Sequence, residues 1–475
     1  MFIAAPLRVT GCRYFNPFDS GFTGLGRSAG HVLRLRFVVF PLQQNNNSNS
    51  VIMSALDLLY RRAGFMASLL VGVLGLSSPA SSEEDRNQQA SVALRGFGTL
   101  GIARSSSDQA EMVRDLSQPR GISKRWSGRS DSVFGLQANV QATGMLEAVA
   151  QLVSRYHSEG NFRPELTWAF LKYEPNAYLT LRAGRFGTEF FMRADSRLVG
   201  YSYLSVRPAP DFFATLPFSY IDGVDVLLTA PLADGLLRGK LYSGMTREKI
   251  PIAGEQLDVN GARMAGGYLE YQQNAWMWRA SAGQIRFNHE LPSPVDRLRD
   301  ALVVASAATG ISTAQAAADD LSLSGGVGRF YSVGAVYDNG PLQAHAMLSR
   351  ILHDSVAFEN SRSGMLIVGY RIGDVTPFTG YSWVKSESKQ LNTGLPDVGA
   401  LALINSSVAA VLADSHSDQN TTTLGLRWDF YRNTALKLQF DMVHGTPRSI
   451  FPYRRETADW NGRVNVFSMT MDFIF

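Results

Sequence analysis

From about residue 90 onward, apolar and polar side chains alternate along the chain with a period of two. The clearest example is the pair of segments 423–431 and 434–442, which Arg432 and Asn433 join by a tight turn. A strand points successive side chains to opposite faces, so each segment has one apolar face and one charged face. This combination indicates strands that lie between lipid and an aqueous lumen.

Seven hairpins of this kind occupy residues 132–442. They pair 132–142 with 145–156, 165–173 with 178–186, 221–229 with 236–246, 262–272 with 276–287, 328–337 with 342–352, 363–372 with 376–386, and 423–431 with 434–442. Strands at 91–104 and 463–475 bring the count to sixteen. The pattern predicts an all-β fold, a transmembrane antiparallel β-barrel of about 16 strands within residues 81–475, and counts of 14 or 18 also fit it.

The last nine residues alternate most regularly. Apolar side chains stand at every second position and the chain ends on the last of them: Phe467, Met469, Met471, Phe473 and Phe475. The final strand of a soluble sandwich is the alternative interpretation. The pattern resembles the closing strand of Gram-negative outer-membrane barrels, and this resemblance implies that the five residues form the signal recognised by the barrel assembly machinery.

Aromatic residues cluster near the predicted strand ends, where half-polar rings suit the headgroup level of a bilayer. They are Tyr173, Tyr178, Tyr271, Trp276, Trp278, Tyr337, Tyr370, Trp428 and Tyr431. The β propensity of aromatic residues accounts for some of them. Two long loops have helical patterns, at Val295–Thr309 with Thr313–Asp319 and at Val398–Ala413. We expect these loops outside the cell, either shading the pore mouth or forming a variable surface.

A targeting segment precedes the barrel. Arg61 and Arg62 stand before an apolar stretch at 63–76, and small residues follow it up to Ala80. This order predicts a secretory signal peptide at 53–80. A membrane anchor is the alternative, but the apolar stretch is shorter than the ~20 residues of a spanning helix. Met53 stands where such a peptide begins, so we expect residues 1–52 to be a mis-assigned extension.

Removing this segment changes the charge of the protein. The first 80 residues contain seven arginines and two aspartates, so the remaining 38 basic and 39 acidic residues give a net charge of −1 instead of +4. The exported chain therefore has no basic surface for nucleic acid. The only cysteine, Cys12, lies in the same segment, which leaves the exported chain without disulfides.

Two other patterns suggest enzymatic chemistry only weakly. The segment 96–101 matches the G-x-G-x-x-G fingerprint, but the chain continues as a strand instead of a helix, and its small residues would permit close packing at a subunit contact. The six histidines after residue 80 form no metal-spaced pair, and only His345 falls on a predicted lumen face. We expect no catalytic residue, no metal and no cofactor.

Two strands and the loop between them carry the most specific motifs. Arg182-Ala-Gly-Arg185 lies near the end of one strand, and Asp222-Gly-Val224 begins the next. This region resembles the Gram-negative porin family, and the final hairpin is also similar to that of porins. The resemblance implies a homotrimeric, general-porin-like barrel in the bacterial outer membrane, whose third extracellular loop folds into the lumen. By position, residues 188–220 form this constriction loop.

Charges in and around the predicted loop differ from the family pattern. Trimeric general porins carry an acidic cluster here, whereas in this loop the acids Glu189, Asp195 and Asp211 are matched by the bases Arg193, Arg197 and Arg207. Strand parity places nine bases and six acids in the lumen: Arg95, Arg155, Arg182, Arg238, Lys240, Arg279, Arg371, Arg427 and Lys437, with Glu147, Asp225, Glu270, Asp429, Asp441 and Asp472. Lys172 is left out because parity groups it with Trp168 and Phe170.

The excess of bases predicts a weak anion preference, with Arg182, Arg193 and Arg197 at the constriction. Pairing across adjacent strands is the alternative, in which case the charges only stiffen the wall. The expected function is passive diffusion of small hydrophilic solutes or ions through a water-filled barrel surrounded by outer-membrane lipid. A closed structural or adhesive barrel and, less favoured, a barrel hydrolase remain as alternatives.

Overall fold

Sixteen antiparallel strands form one closed barrel in a computed structural model that describes residues 90–475, except 215–217, 253–254, 448–452, 455 and 458. Strands β1–β16 are Ser91–Ser105, Val133–Gln141, Leu146–Arg155, Glu165–Asn176, Leu179–Gly187, Tyr220–Leu232, Gly235–Met245, Arg263–Gln273, Trp276–Arg286, Val327–Asp338, Leu342–His353, Asn360–Tyr370, Val375–Glu387, Asp418–Tyr431, Thr434–Gly445 and Arg463–Ile474. Each strand pairs with its neighbours in the chain, and β1 pairs with β16. The predicted barrel of sixteen strands is confirmed.

The turns that join the predicted hairpins are short, and two of them depend on asparagine. Asn274 and Asn433 have φ angles of 53° and 57°, which lie in the left-handed region that asparagine tolerates better than most residues. The long loops therefore all leave the opposite end of the barrel, as in outer-membrane barrels whose long loops are extracellular. The predicted signal peptide, extension and Met53 lie outside the described residues.

The outer surface of the barrel is apolar and its lumen face is polar. Leu241, Leu269 and Phe440 are exposed on the outside, whereas Lys437 and Asp441 are buried on the inside. Phe467 and Met469 of β16 and Phe475 directly after it are also exposed, so the alternation of the last strand has the predicted orientation. The aromatic residues near the short turns form a belt at that end, which is typical of a barrel in the bacterial outer membrane.

Glycines of the first strand accommodate aromatic rings of the last. Gly98 lies directly opposite Phe473, and a Cβ atom at residue 98 would lie 2.3 Å from the Cζ atom of that ring. A Cβ atom at Gly96 would similarly lie 2.2 Å from Cζ of Phe475. The G-x-G-x-x-G match therefore belongs to the closing pair of barrel strands, where small residues leave space for the terminal rings.

Four helices lie in the loops: α1 at Pro210–Phe213, α2 at Val295–Thr309, α3 at Ser312–Asp320 and α4 at Gly399–Asp414. Helices α2, α3 and α4 agree with the helical patterns predicted from the sequence. None of the helices in the described part of the chain is long and apolar enough to cross a membrane. Two small sheets complete the loops. One is the short hairpin of Lys249–Ile252 with Glu255–Asp258, and the other pairs Glu111–Met112, from the loop after β1, with Tyr453–Arg454, from the loop after β15.

Candidate pore site

The described residues of the loop between β5 and β6, 188–214 and 218–219, fold into the lumen, and we call them the infolded loop. Burial of its aromatic residues explains why the loop packs against the barrel wall instead of extending into the solvent. Phe191 packs on Phe212 with ring centroids 4.9 Å apart, and Phe190 packs on Phe330 of the wall at 5.0 Å. All four of these rings are buried. Apolar burial therefore holds the loop inside the barrel, as the resemblance to porins implied.

Arg207 attaches the infolded loop to the part of the barrel wall that strands β13–β16 form, which we call the far wall. Its Nε and Nη2 atoms donate hydrogen bonds of 2.7 Å each to the carboxylate of Asp131, and its Nη1 atom lies 3.0 Å from Asp441. Nη2 also donates to Ser468 Oγ at 2.5 Å. The guanidinium is fully buried, so its two carboxylate partners are needed to offset the cost of burying its charge.

A second attachment joins the backbone of the loop to β15. Lys437 Nζ donates to the carbonyl oxygens of Gly200 at 2.7 Å and Ser205 at 3.0 Å, and it lies 3.1 Å from Asp472. A Cβ atom at residue 200 would lie 2.1 Å from Oδ1 of Asp472 and 2.4 Å from Oγ1 of Thr99. Glycine at this position therefore permits the close approach of the loop to the wall.

Two further contacts extend this attachment along the far wall. Arg427 of β14 donates to the carbonyl oxygens of Tyr201 and Tyr203 at 2.8 and 2.9 Å. Asp211 of the loop accepts hydrogen bonds of 2.6 Å each from Ser382 and Gln419. Burial raises the pKa of Asp211, and these hydrogen bonds oppose the rise. The loop is thus fixed to strands β13–β16 by side chains that lie far apart in the sequence.

Glu189 fixes the start of the loop to the part of the wall that strands β4–β9 form, which we call the near wall. Its Oε1 atom accepts hydrogen bonds from Arg182 at 2.9 Å and from Lys240 at 2.6 Å. Burial would raise the pKa of Glu189, but the charges of Lys240 and Arg182 lower it to about 2. Arg182 also donates to Asp225 at 2.6 Å. The Glu189 carboxylate is therefore ionised at neutral pH. Its partner Arg182 links it to the wall residue Asp225.

The near wall continues as a set of ion pairs whose basic members face the water. Glu270 accepts hydrogen bonds from Arg279 at 2.6 Å and from Arg238 at 3.3 Å. The side chains of the pairs differ in exposure: 17% for Arg182, 27% for Arg238 and 12% for Arg279, against 7% for Glu189, 0% for Asp225 and 3% for Glu270. The acids lie beneath the guanidinium groups, which form the solvated surface.

Lys172 belongs to this wall, so leaving it out of the predicted lumen bases was wrong. Its Nζ atom lies 2.7 Å from Glu147 and 2.9 Å from Glu174, and the residue is buried on the lumen face of β4. Trp168 and Phe170 are buried on the same face. The parity of the strand was therefore right, but its aromatic residues point inward and not toward lipid. Arg371, another predicted lumen base, is exposed next to a short turn.

The three arginines predicted for the constriction contact different groups. Arg182 lies in the near wall, as described above. Arg193 donates to the carbonyl oxygen of Ser202 and lies over the ring of Tyr203 at 4.8 Å. Arg197 donates to the Phe218 carbonyl oxygen at 2.6 Å. The remaining predicted residues are placed as follows: Asp195 accepts from the Ser196 amide at 2.9 Å, and Arg95 lies half-buried on the lumen face of β1.

The sequence did not single out Arg207 as a site residue, although it counted the charge of this arginine in the loop. No local pattern distinguishes it from Arg193 or Arg197, because its partners Asp131 and Asp441 lie 76 and 234 residues away. The proline-rich stretch around it, with Pro208 and Pro210, was the available signal for a rigid turn. Its contacts depend on closure of the barrel.

One cluster contains the residue types of a serine hydrolase, namely Ser386, His416 and Glu359. Glu359 Oε2 accepts from Ser386 Oγ at 2.5 Å and lies 2.9 Å from His416 Nδ1, while Ser386 Oγ lies 3.3 Å from the same Nδ1 atom. A catalytic histidine needs one ring nitrogen for the serine and the other for the acid. The cluster uses one nitrogen for both, so its geometry is that of a structural contact.

Comparisons with solved structures find a porin and other outer-membrane proteins at low sequence identity. An anion-selective porin from Comamonas acidovorans is 14% identical over 82% of this chain and 100% of its own, with a TM-score of 0.47. OmpF of Salmonella typhi, in a complex with daunomycin, is 12% identical over 81% and 97%, with a TM-score of 0.48. OmpT of Vibrio cholerae in a trimer form is 12% identical over 81% and 99%, with a TM-score of 0.47.

No protein-family model and no curated protein sequence matches the chain. The count of sixteen strands, the closure between β1 and β16 and the infolded third loop define its architecture independently of these likenesses. The chain forms a general-porin-like barrel of the bacterial outer membrane.

Proposed function

We propose that this barrel is a diffusion channel for small hydrophilic solutes or ions, with a weak preference for anions. The observation that supports the proposal is the exposure of Arg182, Arg238 and Arg279 above their more deeply buried acidic partners. An ion that passes this wall meets guanidinium groups first, and in a low-dielectric channel such groups favour anions.

The far wall limits this preference. In the pair of Arg427 and Asp429, the arginine side chain is 10% exposed and the aspartate side chain 25%, so the acid faces the lumen water there. Attraction of anions on the near wall is therefore partly offset by attraction of cations on the far wall. We expect selectivity to be weak for this reason, with no chemistry performed on the solute.

A structural or adhesive role as a closed barrel is the second candidate function. It is supported by the burial of lumen side chains beneath the infolded loop. Lys437, Asp472 and Arg207 have fully buried side chains where the infolded loop meets the far wall. A path for solute must therefore follow the near wall, past Arg182 and Arg238. If this path is too narrow, the protein serves a structural or adhesive role in the envelope.

Single-channel recording with the purified protein in planar bilayers separates the two. A diffusion channel gives stepwise, ohmic conductance in simple salt, whereas a closed barrel inserts without conductance. Absence of hydrolysis toward lipids and peptides in the same preparation is expected from the geometry of Ser386 and His416.

We also propose that the protein forms a homotrimer, which mass measurement of the native complex in detergent would test.

A further inference from the structure

Six consecutive strands carry one base each on the outer surface of the barrel, near their extracellular ends. On β8 to β13 these are Arg263, Arg286, Arg329, Arg350, Arg362 and Lys385, and we call them the basic arc. They share the outer face with exposed apolar residues lower on the same strands, such as Tyr331, Val333, Leu348 and Leu366. The arc therefore lies at the upper edge of the surface that faces lipid.

The register of the strands holds like charges against each other. Arg263 lies directly opposite Arg286, Arg350 directly opposite Arg362, and Arg362 directly opposite Lys385. Like charges in directly opposed positions destabilise a sheet unless something compensates them. A ligand with negative charge at this level would relieve the repulsion.

Acids within the protein compensate only part of the arc. Asp354 lies 2.6 Å from Arg329, and Glu387 lies 2.5 Å from Arg362 and 3.9 Å from Arg350. Lys385 has a weaker partner in Asp418 at 3.9 Å. The side chains of Arg263 and Arg286 make no ion pair or hydrogen bond with any residue that the structure describes. The arc thus has six bases for three acids.

The two ends of these strands differ in chemistry. At the short-turn end the outer face carries aromatic rings, among them Tyr271, Trp276 and Trp278, where two tryptophan rings stack 5.5 Å apart. At the long-loop end it carries the basic arc. Aromatic rings suit the interface of any bilayer, whereas an arc of arginines suits phosphate groups, which guanidinium binds through two parallel hydrogen bonds.

We propose that the basic arc binds phosphate groups of lipids in the outer leaflet, and that Arg263 and Arg286, the directly opposed pair at one end of the arc, make the main contacts. Lipid is the source of the phosphate because the exposed apolar band lies directly below the arc and would contact acyl chains. The proposal does not depend on whether the pore conducts.

Retention of lipid by the purified full-length protein, measured by native mass spectrometry, tests this proposal. The protein is placed in mixed micelles with dioleoyl phosphatidic acid or dioleoyl phosphatidylcholine. We expect it to retain phosphatidic acid preferentially, and the double substitution Arg263→Gln with Arg286→Gln to reduce this preference about tenfold or more. The matched control, Arg297→Gln with Arg432→Gln, removes two exposed arginines outside the arc and leaves the preference unchanged.

Three outcomes would overturn the proposal. The double variant retaining phosphatidic acid as well as the original protein does so directly. Equal loss in the control variant shows a nonspecific effect of net charge. Displacement of the lipid by millimolar glycerol 3-phosphate identifies a site for free anions instead of lipid. Should the double variant fail to fold, as judged by heat-dependent migration on gels, the single substitution Arg362→Gln replaces it and is expected to reduce the preference in the same direction.

Discussion

Arg207 and Asp441, separated by 234 residues in the chain, lie 3.0 Å apart and join the infolded loop to the far wall of the barrel. The contact buries the charged side chain of Arg207 against the wall. There Arg207 also binds Asp131, which belongs to the loop between β1 and β2. This relationship explains how a loop with few regular elements keeps one position in the lumen.

Substitution of Arg207 by glutamine is expected to destabilise the barrel and release the loop. Two buried carboxylates lose their partner, a change that typically costs about 3–5 kcal/mol. Denaturant unfolding in detergent measures the stability, and single-channel conductance should increase as the loop becomes mobile. The exposed Arg297→Gln is the control. Unchanged stability in the Arg207 variant would show that the ion pair does not hold the loop.

Gly200→Ala tests the second attachment without removing any charge. The new Cβ atom would lie 2.1 Å from Asp472 Oδ1, so the loop must move away from Lys437. We expect higher conductance and faster proteolysis of the loop. Gly239→Ala is a suitable control, because its Cβ atom would lie 3.3 Å from the flexible end of Leu269. Identical conductance in the two alanine variants would contradict this role for Gly200.

The ion pairs that Glu189 makes at the start of the infolded loop are expected to stabilise the protein in a pH-dependent way. Lys240 and Arg182 lower the pKa of Glu189 to about 2, below its usual value of about 4.3, so its contribution to stability is complete above that usual value and is lost as the pH falls toward 2. The stability difference between the original protein and Glu189→Gln should therefore stay constant from neutral pH to about pH 5 and disappear in strong acid. A difference that disappears near pH 6 would exclude this assignment.

The closing pair of strands predicts an effect on assembly. Phe473 covers Gly98 directly, so Phe473→Ala uncovers the glycine and removes a cross-strand contact worth about 0.2–1 kcal/mol. We expect a lower yield of folded barrel and a slightly lower unfolding midpoint. Val333→Ala, on an outer position far from this pair, provides the comparison. An equal fall in yield in both variants would show that the loss comes from reduced contact with lipid and not from the pairing of β1 with β16.

Period-two alternation was sufficient to predict the sixteen strands, because lipid and water lie on opposite faces of every strand. The same signal failed at Lys172, since Trp168 and Phe170 point toward the lumen and imitate a lipid-facing pattern. The contacts of Arg207 and Lys437 with distant residues were not predictable, because they arise only when the barrel closes around the loop. The order of exposure within each ion pair likewise depends on how the side chains pack.

The reversal potential in a salt gradient across a planar bilayer is the most direct test that the barrel is a diffusion channel with a weak preference for anions. We expect a small potential with the sign of anion preference, which shifts toward cations when Arg238 and Arg279 are both replaced by glutamine. Replacement of the outward-facing Arg263 and Arg286 in the same way should leave the potential unchanged. A clear cation preference in the original protein, or an unchanged potential after replacement of Arg238 and Arg279, would contradict anion-preferring diffusion along the near wall.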